Sequence, residues 1–136
     1  MEVVINLKVK LNQVVSSNEF YSNKLHWSRR KRIKDDYHVL VKAETNKIKK
    51  VEPITFPVML RIDYFFKSRM FDVSNTSIMT KMIEDSLVKS EILQDDTPKW
   101  VPEIRSTCQR SDTDFNWVSI RAYNYDIIKS GGVIDY

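Results

Sequence analysis

From Arg69 to Asp96 the chain reads RMFDVSNTSIMTKMIEDSLVKSEILQDD, which sets Asp72, Asp85, Asp95 and Asp96 around one short amphipathic segment that also carries Lys81. Two bare carboxylates roughly 4 Å apart repel by about 4 kcal/mol at an effective dielectric of 20. Such a cluster therefore needs a cation, shared protons or wide separation. A divalent ion held by carboxylate oxygens, with water completing its shell, activates that water against a phosphodiester. A nearby lysine then stabilises the charge that develops on the phosphorane. Ordinary roles compete with this chemistry. Asp72 suits the positive end of a helix dipole, Asp95 and Asp96 suit a turn, and Lys81 with Asp85 makes an i,i+4 pair in the less favourable order.

The rest of the composition limits the metal. The chain has one cysteine, Cys108, and two histidines, His26 and His38. An intramolecular disulfide and a multi-cysteine zinc site are excluded, and any ion must be held by oxygen, which favours magnesium, manganese or calcium. Cysteine usage fits a reducing cytoplasm. No apolar run has the length of a membrane span, and MEVVINLKVKL lacks a basic-then-apolar signal pattern, so no membrane partner is expected.

The net charge of +4 says less than its distribution. Arg29, Arg30, Lys31 and Arg32 are consecutive, with Lys24 before them and Lys34 after. Cations at a helix N-terminus oppose the macrodipole, a cost that an external anion such as DNA phosphate would relieve. Charge runs are also often simple solvated surface.

These groups must be positioned by a small set of elements. Val3, Ile5, Leu7, Val9 and Leu11 alternate with polar neighbours, predicting a strand with one buried face. SSNEFYSNKLHWS reads as a loop, and Ser28 is the expected N-cap of a helix over 29–50. Ile33, Tyr37, Leu40, Val41 and Ile48 form its apolar stripe, with Glu44 inside the stripe as a partner for a nearby base. Val58, Leu60, Ile62, Tyr64 and Phe66 predict a second strand with Arg61 and Asp63 on its other face. A helix is expected from Asn75 or Thr76 to Lys89, with Ile78, Met79, Met82, Ile83 and Leu87 inward and Asp85 at the border. Strands over 100–107 and 115–125 follow, and a loose tail over 129–136. The expected fold is α+β, one domain over 1–128, with a mixed sheet and two main helices.

The pattern resembles the RusA family of Holliday junction resolvases, small endonucleases of bacteria and phages. That family's signature is an arginine-rich approach to Asp-x-Asp-Asn, a helix with a lysine and an aspartate, and Asp-Asp after a short turn. Here Arg69 precedes Asp72-Val73-Ser74-Asn75, Lys81 and Asp85 follow, and Asp95-Asp96 closes the block. Ser16, Ser17 and Asn18 resemble the family's Pro-Ser-Asn turn after the first strand. Two departures stand out. Ser74 occupies the place of the second aspartate, and the interval from Asp72 to Lys81 is a few residues longer than the family's.

The resemblance implies a homodimer that binds four-way DNA junctions and nicks two strands symmetrically with magnesium, manganese being a substitute. It implies Asp72 and Asp96 as metal ligands, Asp85 as a secondary carboxylate in the same site and Lys81 as an electrostatic catalyst. Arg29, Arg30, Lys31, Arg32, Arg69 and Arg105 would grip phosphates, and Phe20, Tyr21 and Trp27 could stack on exposed bases or pack in the core. The expected setting is the cytoplasm of a bacterial or phage-infected cell, in DNA recombination and repair. Two further readings stay open: a junction-binding protein whose chemistry is attenuated by Ser74, and a protein-interaction domain with acidic and basic faces.

Overall fold

The computed structural model describes residues 3–48 and 52–131. β1 (Ile5–Leu11) alternates strictly between buried and exposed positions, as its period-two pattern requires. A one-turn helix α1 (Ser17–Phe20) follows, capped by Ser16, whose Oγ accepts from Glu19 N. The sequence places only a loop there, because four residues leave no periodicity to read. Next come the long helix α2 (Trp27–Thr45), β2 (Val58–Phe66), a 3-10 turn over Val73–Thr76, and helix α3 (Ser77–Lys89). β3 (Glu103–Arg110), β4 (Asn116–Asn124) and the short helix α4 (Tyr125–Lys129) complete the described chain.

Several expected boundaries move. The N-cap of α2 is His26, whose Nδ1 accepts from Ser28 N at 3.2 Å, so the helix begins two residues before Arg29 and Ser28 lies inside it. Its apolar stripe narrows to Ile33, Tyr37 and Val41; Leu40 is half-buried and Ile48 is exposed beyond the last turn. Glu44 pairs with Lys47 at 2.9 Å. Residues 49 and 50, the expected end of this helix, lie outside the described residues. β3 starts and ends three residues later than expected, because the chain from Thr97 first makes a turn in which Trp100 N and Val101 N both donate to Thr97 O. Lys129, expected in a loose tail, ends α4, and residues 132–136 lie outside the described residues.

The four strands form one mixed sheet in the order β1-β4-β2-β3, with β4 antiparallel to both neighbours and β2 parallel to β3. A parallel pair needs a crossover, and α3 provides it for β2 and β3. β1 and β2 also run in the same direction, with α2 between them in sequence. Both crossovers step the same way across the sheet, so right-handed connections place α2 and α3 on one face. On that face Ile5, Leu7, Val9, Leu60, Ile62, Tyr64, Val118 and Ile120 meet Ile33, Tyr37, Val41, Met79, Ile83 and Leu87 in one core. The other face has no crossover helix among the described residues, and this asymmetry matters below.

Candidate functional site

The acidic site is built on α3 and on the turn after it. α3 reads amphipathically, and Ile78, Met79, Met82, Ile83 and Leu87 are buried as their spacing predicts. This leaves Lys81 and Asp85 at the border, i and i+4 on one side. At its C-terminus Glu91 adopts a left-handed conformation (φ 62°), which lets Ile92 N donate to Leu87 O at 3.0 Å and reverses the chain. Ile92 and Leu93 then enter the core, and Ile54 N donates to Ile92 O at 2.9 Å, so the turn is pinned. The returning chain brings Asp96 back beside α3. Asp95 Oδ1 accepts from Asp96 N at 2.8 Å and orients that backbone.

The result is a three-residue ion cluster. The Lys81 ammonium donates to Asp96 Oδ2 and lies 3.1 Å from Asp85 Oδ1. Its pKa is held well above the ordinary lysine value by the Asp96 hydrogen bond first, with Asp85 adding to the effect. The Lys81 hydrogen bond correspondingly lowers the pKa of Asp96. Lys81 thus meets two carboxylates, Asp85 from its own helix and Asp96 from the returning chain.

Asp72 does not join them. It is exposed at the start of the 3-10 turn, where its carbonyl accepts from Asn75 N at 2.9 Å and its side chain makes no capping bond. Its carboxylate is felt instead by Cys108 on β3, raising that thiol's pKa after burial has done so. Ser74 is exposed in the same turn. Among the described residues no three His, Cys, Asp or Glu side chains are grouped so as to hold one ion. The Lys81 ammonium fills the place between Asp85 and Asp96 that a divalent cation would take. Asp85 and Asp96 are the two carboxylates here that could hold a divalent ion, and the half-exposed Lys81 side chain would have to swing aside to admit one.

The second motif block does meet the first. Asn18 N donates to Asn75 Oδ1 at 3.2 Å, and Ser17 Oγ lies 2.7 Å from Ser77 Oγ. Ser17 Oγ also accepts from Ile78 N at 3.1 Å, supplying from α1 the N-terminal cap that α3 lacks within its own turn. No local pattern could have shown this contact, since the partners are about sixty residues apart.

The basic candidates divide. Arg29 and Arg32 are exposed on the first turns of α2, and Lys31 is exposed but paired with Asp35 at 2.8 Å. Arg30 turns inward, donating to Ser22 O at 3.0 Å. Arg69 is held by Glu19 at 3.0 Å and lies over the Phe71 ring. Of the aromatics, Phe20 is a core residue, whereas Tyr21 and Trp27 are 66% and 67% exposed.

Glu84 was missed by the sequence reading. It is only 9% exposed, one residue before Asp85, on the buried side of α3. Burial raises its pKa to about 7 against a smaller lowering by Lys81, and Asp96 and Asp85 push it up further. Its spacing gave little signal, because on the helical wheel position 84 falls about 60° beyond Leu87, outside the arc of Met79, Ile83 and Leu87. The raised value has a stability consequence. Between the unfolded value of 4.5 and about 7 the native state holds a proton that the unfolded state has lost, so stability falls as pH rises through this window and levels off above it. We expect wild-type protein to lose on the order of 2–3 kcal/mol from this group between pH 5 and 8. Urea denaturation at the two pH values checks this, and Glu84→Gln should flatten the difference.

No protein-family model matches the chain, and no curated protein matches it.

Proposed function

We propose that this protein is a structure-selective DNA endonuclease of the RusA type, acting as a homodimer on four-way junctions with magnesium or manganese. The observation that carries this reading is the meeting of Lys81 with Asp85 and Asp96, contributed by α3 and by the turn that returns to it. On this reading Lys81 would hold positive charge beside the phosphodiester being cleaved, the electrostatic contribution such a reaction most needs. The docking of Ser17 and Asn18 onto the Asn75–Ile78 segment supports the same reading, since it joins the two sequence blocks that carry the resemblance. Exposed Arg29 and Arg32 supply phosphate contacts, so binding should fall steeply with salt and depend little on sequence. Cleavage of a synthetic four-way junction with magnesium or manganese, compared with plain duplex, is the direct test; no nicking of either rejects the enzyme.

One observation favours a second reading, a junction-binding protein with attenuated chemistry. Ser74 offers a neutral oxygen where the signature has a carboxylate, and three carboxylates are not grouped among the described residues. The two readings separate on Ser74→Asp. Because affinity for a hard cation grows with ligand charge, this variant should bind manganese about 10-fold more tightly, or about 1.4 kcal/mol, and nick faster. Titration calorimetry and gel assays of nicking measure both, and no change in either removes Ser74 as the cause of attenuation.

A further inference from the structure

The surface groove between α2 and α3 collects cations that the candidate site does not use. α2 carries Lys34, His38 and Lys42 at i, i+4 and i+8, which places them on one side of the helix. Lys34 and His38 face Asp85 and Lys89 of α3 across a narrow cleft, whose floor is the buried Met82 and Ser86. Lys34, Lys42 and Lys89 are exposed, and none of them makes an ion pair among the described residues. Lys34 stands 5.7 Å over the buried Phe20 ring, a contact that holds its ammonium without an opposite charge. The nearby carboxylates are engaged or turned away. Asp85 is 3.1 Å from Lys81, and Asp35 is 2.8 Å from Lys31. That bond is the main cause lowering the Asp35 pKa, and Lys89 and His38 act on it more weakly. Asp36 accepts from Asn12 at 3.4 Å and Glu44 lines a separate cleft with Lys8 and Lys10, so both lie toward β1. Glu91, beyond the end of α3, lines a depression with Pro53 instead.

Ordinary roles cover single members of this group. Lys89 suits the negative end of α3, and Lys42 that of α2. Neither role explains Lys34, inside α2, set opposite Lys89 where like charges repel. His38 adds a polar ring to the same wall. Its Nδ1 is buried without a hydrogen-bond partner, so no described residue fixes the tautomer and Nε2 is free to donate. The cleft holds about 20 Å³, room for one oxygen atom and none for a base. A tetrahedral oxyanion that reaches in with one oxygen, its charge met by ammonium groups on both walls, matches this shape and chemistry. Asp85 belongs both to the cleft and to the Lys81 cluster. Lys89 stands eight residues beyond Lys81, roughly 12 Å along the axis of α3. A polynucleotide strand passing Lys81 therefore runs on between Lys34 and Lys89, with Lys42 one turn past His38.

We propose that the α2–α3 groove binds phosphates of the DNA strand that continues from the linkage at Lys81, one in the cleft between Lys34 and Lys89 and the next beside Lys42. The proposal rests on the DNA-binding part of the function given above but not on its chemistry. Anisotropy of a labelled four-way junction, measured with chelator present over a range of salt, tests it. Lys34→Gln, Lys42→Gln and Lys89→Gln combined should weaken binding about tenfold or more and make the log–log salt dependence shallower by about 2, the slope carried by two phosphate contacts. The matching triple change to arginine keeps the charge, so it should keep the slope and hold affinity within about threefold. Lys8→Gln with Lys10→Gln removes charge from the opposite face of the sheet and should change affinity by less than about twofold. Should the triple variant fail to fold, Lys34→Gln with Lys89→Gln is the substitute, with a slope change of about 1. Unchanged affinity and slope in a folded variant overturn the proposal. So does a loss per charge as large in the Lys8 and Lys10 pair, which would mark an effect of net charge alone. Tight binding by wild type and by the triple variant alike removes the groove and leaves the DNA-binding function standing, whereas no binding by wild type removes both.

Discussion

Asp96→Asn should lower nicking of a four-way junction by about 100- to 1000-fold, the range expected when one charged group that serves the transition state is removed. Junction binding should stay within about threefold of wild type, because binding comes chiefly from cations that contact phosphates. The fold should be nearly unaffected. Asp96 and Lys81 are partly open to solvent, at 24% and 53%, and an ion pair this open is worth about 0–1 kcal/mol. Asparagine also keeps an oxygen to accept from Lys81, and Asp85 remains as its other partner. Gel assays of nicking, binding isotherms in chelator and thermal melts separate the three effects. If Asp96→Asn nicks as fast as wild type, Asp96 has no part in the chemistry and the proposed site is wrong. Lost binding together with lost nicking would instead place Asp96 in the DNA contact.

The largest effect on stability should come from Asp63→Ala. The Asp63 side chain is 4% exposed, and the Arg61 and Arg121 side chains it holds are 15% and 18% exposed. Removing the carboxylate leaves two mostly buried guanidiniums side by side across adjacent strands without their shared anion, and Thr107 without its acceptor. Breaking a buried pair in this way costs about 3–5 kcal/mol, because the guanidiniums lose the anion they share. Asp63→Asn should cost less, since the amide oxygen still accepts one bond. Urea denaturation of the two variants gives the comparison. If Asp63→Ala is within 1 kcal/mol of wild type, roughly the worth of an exposed ion pair, the network is a solvated surface cluster instead.

Asp63 also shows what position within a strand can reveal. Its alternation with Ile62 and Tyr64 places it on the face away from the core, and the structure finds it there, bound to two arginines. The same holds for α3, where helical spacing predicts the buried residues and sets Lys81 and Asp85 at the border. Within one regular element, side-chain direction follows from a fixed period, so sequence suffices. The starts of α2 and β3 were less legible. A histidine rather than Ser28 caps α2, and a backbone turn at Thr97 delays β3; neither leaves a periodic trace.

Between elements, the period says nothing. That Asp96 returns to Lys81 depends on the left-handed turn at Glu91 and on Ile92 and Leu93 being drawn into the core. That Asp72 stands apart depends on the 3-10 turn inserted before α3. Arg30 and Arg69 look like free cations in the sequence, but a carbonyl and a carboxylate in the α1 region engage them. Arg61 lies opposite both Arg105 and Arg121 only because the strand order places β2 between β3 and β4. Sequence alone determined the four strands and two long helices in outline, the inward faces of β1, β2 and α3, and the short-range pair Lys81–Asp85. Tertiary structure decided which carboxylates that lysine holds and which face of the sheet carries no crossover helix among the described residues, because both follow from chain reversals and crossovers whose geometry is set by packing.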